Sequence, residues 1–122
     1  MAEWFGNELL KRQQLDPSAA NYGGFREWGG AQYVYLDFEA PAGGALKELY
    51  ELTGNSTYLD AHERFVNSLF IGDDGGISCY RDPEGTQIDS DIPTYKAALL
   101  LISSTVGVND TLTLWAVSHL WN

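Results

Sequence analysis

The chain is short of cations. Lys and Arg together number 7, against 17 Asp and Glu, for a formal net charge of -10 over 122 residues. A nucleic-acid surface needs a basic face, and seven scattered cations do not supply one. The same deficit excludes adhesion to an anionic membrane surface. No apolar run approaches the roughly 20 residues of a spanning helix. Cysteine is nearly missing: Cys79 stands alone, which excludes an internal disulfide framework and a cysteine-based zinc cluster. The opening residues, Met1-Ala2-Glu3-Trp4, carry no basic stretch, so no secretory leader is read there. The acidic excess suits a secreted or salt-adapted source, while the lack of a visible leader suits a cytoplasmic protein or part of a larger secreted one; composition does not choose between them.

Several catalytic and cofactor signatures are missing as well. There is no GxGxxG and no phosphate-binding Walker loop, so nucleotide binding has no support. His62-Glu63 is followed by Val66 where a zinc protease needs its second histidine. Ser78, in Gly76-Ile77-Ser78-Cys79-Tyr80, lacks the second glycine of a nucleophile elbow. Asp82, Glu84, Asp89 and Asp91 miss the spacing of an EF-hand loop, with Pro93 where a ligand is needed. Cys79, with only Arg81 as a basic neighbour, reads as an inert thiol. No metal site and no cofactor are therefore expected.

Glycine and aromatic residues are plentiful: 13 glycines, 13 % aromatic and 44 % apolar residues, too rich for a disordered acidic tail. The length suits one domain. Residues 2–14 alternate in helical fashion, with Trp4, Phe5 and Leu9 against Lys11 and Arg12. Residues 15–44 hold six glycines and two prolines and predict a long loop rather than a helix. Within it, Tyr33-Val34-Tyr35-Leu36-Asp37-Phe38 alternates like a short strand. Helical spacing returns over 45–53 and ends at Gly54, a left-handed stop. Asn55, Ser56 and Thr57 offer caps, Thr57 and Asp60 having capping-box spacing, for a helix running to about Phe70. Its buried stripe is expected to be Tyr58, Leu59, His62, Phe65, Val66 and Leu69. A second glycine-rich acidic block spans 72–92. Further helices are predicted over 94–106 and, after Gly107 and a cap at Asn109 or Asp110, over 111–121.

The blocks repeat. Gly23-Gly24-Phe25 matches Gly75-Gly76-Ile77, and Asp37-Phe38-Glu39 matches Asp89-Ser90-Asp91. Ala45-Leu46 matches Ala98-Leu99, and Gly54 matches Gly107. The offsets stay at 52 or 53 and keep their order, which indicates stacked supersecondary units. The unit is a helix, a tight glycine turn, a helix, then a long Gly/Asp loop. Short turns make each helix pair antiparallel, so the long loops must gather at the opposite end of the stack.

The stretch Ala45-Leu-Lys-Glu-Leu-Tyr-Glu-Leu-Thr-Gly-Asn-Ser-Thr-Tyr-Leu-Asp-Ala-His-Glu-Arg-Phe65 resembles the helical-hairpin repeat of the (α/α)6 toroids. Six-hairpin glycosidases and related epimerases and polysaccharide lyases share that repeat. Terpenoid-cyclase and prenyltransferase toroids are a neighbouring group, with Gly-rich segments like Tyr22-Gly23-Gly24-Phe25. The resemblance implies an all-α chain of about five helices in antiparallel hairpins, forming an incomplete barrel. It also implies a carbohydrate-active protein, acting on or binding a saccharide through the loop face. A full toroid has six hairpins, so the chain is expected to be a fragment, a small open stack or a self-associating subunit. A non-catalytic helical-repeat binding module and a terpenoid-cyclase-like fragment are the alternatives.

Within that frame the candidate acids are Asp37 and Glu39 in the first loop and Asp89 and Asp91 in the second. Glycoside cleavage needs two carboxyl groups, one held protonated for the leaving oxygen and one to activate water or attack carbon. Acids near helix starts also cap free N–H groups, which gives the same residues a structural alternative. Trp28, Tyr33, Tyr35 and Tyr80 are the candidate stacking platforms for sugar rings. Arg26 and Arg81 follow the Gly-Gly pairs and could clamp a carboxylated sugar or form surface ion pairs. His62 is read as a packed histidine.

Overall fold

A computed structural model describes residues 2–27, 30–68, 80–85 and 87–88. Among them the chain is mostly helical. The elements in order are α1 (Ala2–Leu10), β1 (Val34–Tyr35), α2 (Leu36–Thr53), α3 (Ser56–Ser68), β2 (Tyr80–Arg81) and β3 (Gln87–Ile88). None of these helices is long and apolar enough to cross a membrane. The predicted helices over 94–106 and 111–121 lie outside the described residues, as does most of the second copy of the repeat.

The hairpin of α2 and α3 is built as its sequence implies. Gly54 adopts φ 71°, and its N–H returns to the Tyr50 carbonyl at 2.7 Å. A left-handed residue at this point costs least as glycine. The cap of α3 is Asn55, whose Oδ1 accepts the Thr57 N–H at 3.1 Å. Asn55 is thus a cap, in place of the box expected from Thr57 and Asp60. Tyr58, Ala61, His62, Phe65 and Val66 form the buried face of α3, while Leu59 is half-buried. The helices run antiparallel, because Gly43 of α2 meets His62 and Phe65 of α3, whereas Gly6 of α1 meets both Leu49 and Tyr58.

The start of α2 corrects the sequence reading. Residues 36–44 were expected in a loop, yet α2 begins at Leu36 and passes through Pro41, Gly43 and Gly44. The strand expected over 33–38 is reduced to Val34–Tyr35. Packing explains the difference. Ala40, Ala42, Gly43 and Gly44 are all buried. A Cβ on Gly43 would lie 2.4 Å from Phe65 Cδ2 and 2.6 Å from Cε2, well inside contact distance. The small residues let α3 approach closely, and that contact outweighs the roughly 1 kcal/mol that glycine costs in a helix.

Helix α1 lies against both others. Leu9 joins the core, and a Cβ on Gly6 would meet Leu49 Cδ1 at 2.6 Å and Tyr58 Cε1 at 2.9 Å. The Tyr58 hydroxyl donates toward Asn7 Oδ1 (3.1 Å) and the Glu3 carbonyl (3.3 Å). Phe25 enters the core from the first loop and tilts against Phe65, ring centroids 5.7 Å apart.

The three short strands form one antiparallel sheet in the order β1-β2-β3, with Val34 opposite Arg81 and Tyr35 opposite Tyr80. Strand β1 ends the first glycine-rich block and β2 belongs to the second. The two blocks therefore meet at the end of the hairpin away from Gly54, as up-and-down alternation requires.

His62 is fully buried, and its Nδ1 lies 2.8 Å from the Gly43 carbonyl oxygen. A carbonyl only accepts, so Nδ1 carries the proton and Nε2 is a bare lone pair with no partner. Burial pulls the imidazole below its ordinary value, against the opposing effect of that hydrogen bond.

Two consequences can be measured. Gly43→Ala should lower stability by about 1–3 kcal/mol through overpacking against Phe65, read as a lower urea midpoint. An unchanged midpoint would mean that α2 and α3 are not in close contact there. For His62, a depressed folded pKa means that stability is full above about pH 6.5 and declines as pH falls through that value. Wild type should therefore lose more stability than His62→Asn between about pH 7 and pH 5.

Candidate functional site

The loop end of the hairpin is organised around one ion pair. Glu39, on the first turns of α2, is completely buried, and Arg81, on β2, is 2 % exposed. Arg81 Nη2 donates to Glu39 Oε1 at 2.5 Å, and Arg81 Nη1 donates to the Ser68 carbonyl at the end of α3 at 2.7 Å. The Phe25 N–H also donates to Glu39 Oε1, at 3.3 Å. Burial pushes the Glu39 carboxyl above its ordinary value, and the Arg81 guanidinium pulls it back. Gly24 leaves room for the pair: a Cβ there would sit 2.5 Å from Glu39 Oε1 and 3.0 Å from Arg81 Nη2. Two halves of the repeated pattern, Gly23-Gly24-Phe25 and Asp37-Phe38-Glu39, thus touch each other.

Glu39 faces the interior, where an incoming saccharide does not reach it. Its carboxylate joins α2, the first loop and β2. Arg81 is its buried partner rather than a surface ion or a ligand clamp. Arg26 closes the end of α1 instead: its Nε and Nη2 donate to the Arg12 and Lys11 carbonyls, each at 3.2 Å. Such a cation at a helix C-terminus satisfies orphan carbonyls and opposes the helix dipole. Tyr33 and Tyr35 stack edge-on, centroids 5.1 Å apart, with Tyr35 partly exposed at the loop end. Asp37 lies in the first turn of α2, and Tyr80 lies opposite Tyr35 in the sheet. Trp28, Asp89 and Asp91 lie outside the described residues.

A second buried polar residue escaped the sequence reading. Gln13 is 4 % exposed; its Nε2 donates to the Gly23 and Ala61 carbonyls, both at 2.9 Å. Its Oε1 accepts from Arg64 Nη1 at 2.7 Å. One amide ties the end of α1, the first loop and α3 together. Nothing in the local pattern marks Gln13, because its partners are 10 to 51 residues away.

The anchored Arg64 leads to a polar cavity of about 400 Å³ on the outer side of α3. Its walls are Tyr22, Asp60, Glu63, Arg64, Asn67 and Ser68. Helical spacing places 60, 63, 64 and 67 on one stripe. Tyr22 is set over that stripe by Gly23, whose φ of 91° suits glycine, and where a Cβ would meet the Arg64 carbonyl at 2.7 Å. The cavity offers an aromatic face, two carboxylates, a guanidinium, an amide and a hydroxyl. Among the described residues no group of His, Cys, Asp and Glu is arranged to hold a metal ion.

Compared with protein-family models, curated proteins and solved structures, the chain finds no match in any of the three.

The ion pair makes a pH-dependent prediction. Arg81→Met removes the one influence from a neighbouring charge that holds Glu39 down, so the carboxyl moves further up. An acid whose folded pKa is raised contributes its stability at low pH and loses it as pH rises through that pKa. The variant should cost about 3–5 kcal/mol at neutral pH. Its deficit against wild type should widen between about pH 5 and pH 8. A deficit that stays constant in urea unfolding across that range would contradict a buried carboxylate.

Proposed function

We propose that the chain is a non-catalytic, saccharide-binding module built on (α/α)-type helical hairpins, its ligand seated on the outer side of α3 beneath Tyr22. The observation that carries this reading is the lining of that cavity. A sugar presents C–H faces that stack on an aromatic ring and hydroxyls that need both donors and acceptors. Tyr22 offers the first, and Asp60, Glu63, Arg64, Asn67 and Ser68 offer the second. Arg64 is held in place by Gln13, so little side-chain entropy is lost on binding. In this reading the chain has about five helices, the last two drawn from 94–106 and 111–121, and forms an open segment of a toroid.

The absence of catalysis in this reading follows from where the acids lie. Glycoside cleavage needs one carboxyl held protonated at the ligand. Among the described residues, the carboxyl that burial holds up, Glu39, faces the interior, and the two at the cavity, Asp60 and Glu63, are exposed.

Titration with neutral cello-, xylo- and chito-oligosaccharides, followed by amide NMR and calorimetry, tests the reading. Shifts should gather at Tyr22, Asp60 and Asn67, and Tyr22→Ala should weaken binding by about tenfold. A spectrum that none of these sugars moves, or a Tyr22→Ala variant that binds like wild type, would overturn it. No new reducing ends should appear on long incubation.

A further inference from the structure

A separate surface, unused by the saccharide reading, runs between α1 and α2. Two adjoining cavities of about 240 and 280 Å³ share Phe5, Leu9 and Phe38, so they form one groove. Its far floor is made of proline and alanine side chains from α2. Trp4 and Phe5, on its rim, are 63 % and 53 % exposed. Two adjacent large aromatics left in water beside an apolar groove mark an association surface. The floor on the α2 side is wholly apolar, and the polar groups sit only on the α1 side.

We infer that this groove receives a second copy of the same chain, in a two-fold dimer. The argument rests on its charges. Among the described residues that line the groove, Glu8 and Arg12 are the charged ones; they have opposite sign, four positions apart on the α1 side. In a two-fold contact, residue i meets j and j meets i. Glu8 of each copy then faces Arg12 of the other, and both pairs form by one operation. The existing partner of Glu8 is Lys11, at 2.7 Å and largely exposed, a contact that is easily exchanged. Arg12 donates from Nη1 to the Glu27 carbonyl, which uses one of the five N–H donors of its guanidinium. Trp4 and Phe5 of each copy fill the apolar floor of the other. An unrelated apolar helix could use the floor but has no reason to match both charges in mirror order.

The net charge adds a signature. Each copy carries -10, so the two repel at long range while the groove attracts at contact. Salt screens the repulsion and leaves apolar contact intact. Association should therefore strengthen as salt is added.

Sedimentation equilibrium of the full chain over a range of concentration and salt is the test. The expected result is a monomer–dimer equilibrium that tightens with salt and weakens at least about tenfold in Trp4→Lys. That substitution adds a positive charge to an acidic chain, so repulsion does not account for the loss. Glu8→Arg should also weaken the dimer, and Glu8→Arg with Arg12→Glu should restore it. Circular dichroism confirms folding of each variant, all of whose sites are at least partly exposed. A monomer throughout would overturn the inference. So would open-ended oligomers, a dimer indifferent to Trp4→Lys, or a charge swap without rescue. None of these outcomes depends on saccharide binding.

Discussion

A carboxylate and a guanidinium taken out of water together cost several kcal/mol per ion before they attract each other. The Glu39–Arg81 pair meets that cost with several partners at once. Glu39 also accepts from the Phe25 backbone, and Arg81 also donates to the end of α3. The partners come from four segments: the first turns of α2, the first loop, the end of α3 and β2. Glu39 and Arg81 are 42 residues apart. The pair therefore fixes register more than it adds stability. A slip of one residue in β2 would turn Arg81 to the other face and leave Glu39 charged and alone.

Around that pair the glycines make sense as contacts. From the sequence they read as punctuation, and Gly54 behaves so, with a left-handed turn and open space around it. Gly6, Gly24 and Gly43 do something different. Each sits where a methyl group would strike a neighbour: Leu49 and Tyr58, the Glu39 carboxylate, or the Phe65 ring. Such positions are set by tertiary approach, and one-dimensional spacing does not separate them from turn glycines. This is why Leu36–Thr53 is one helix although its first half looks like a loop.

Other features were legible for equally physical reasons. The α2–α3 hairpin could be read because its signals are local: apolar spacing, a glycine stop and a capping asparagine. Four of the six residues expected in the buried stripe of α3 were legible in the same way, Tyr58, His62, Phe65 and Val66; Leu59 is half-buried and Leu69 lies outside the described residues. The meeting of the two long loops followed from helix alternation alone, and the β1–β2 pairing realises it. Of the small sheet only β1 was foreseen, inside the alternation of 33–38; β2 and β3, two residues each, carry no period to read. Candidate site residues fared according to range. Sequence placed Glu39 in a loop ahead of a helix starting at 45, whereas it lies on the first turns of α2; its burial depends on Gly24, Phe25 and Arg81, which spacing does not bring together. The cavity beneath Tyr22 was missed because α3 was read for its buried face, whereas Asp60, Glu63 and Asn67 lie on the other.

Acidic residues in a loop invite a catalytic reading, yet charge alone does not separate an acid that meets a ligand from one that holds a fold. Burial with a fixed cation does. A carboxylate enclosed by Arg81 and a backbone N–H has spent its accepting capacity at Oε1 on the protein itself. Its other oxygen, Oε2, takes no hydrogen bond but is buried as well, so to protonate a leaving group the side chain would have to swing out and expose the guanidinium, at a cost comparable to breaking the buried pair. An acid on the open stripe of α3 carries no such constraint and is free to exchange water for a hydroxyl. The same fold thus assigns its carboxylates to two tasks: Glu39 joins the loops to the hairpin, and the α3 stripe presents polar groups outward. The rigidity given by the first is what holds Tyr22 over the second, because Gly23 and Gly24 are consecutive. One packs against α3 and the other against the ion pair.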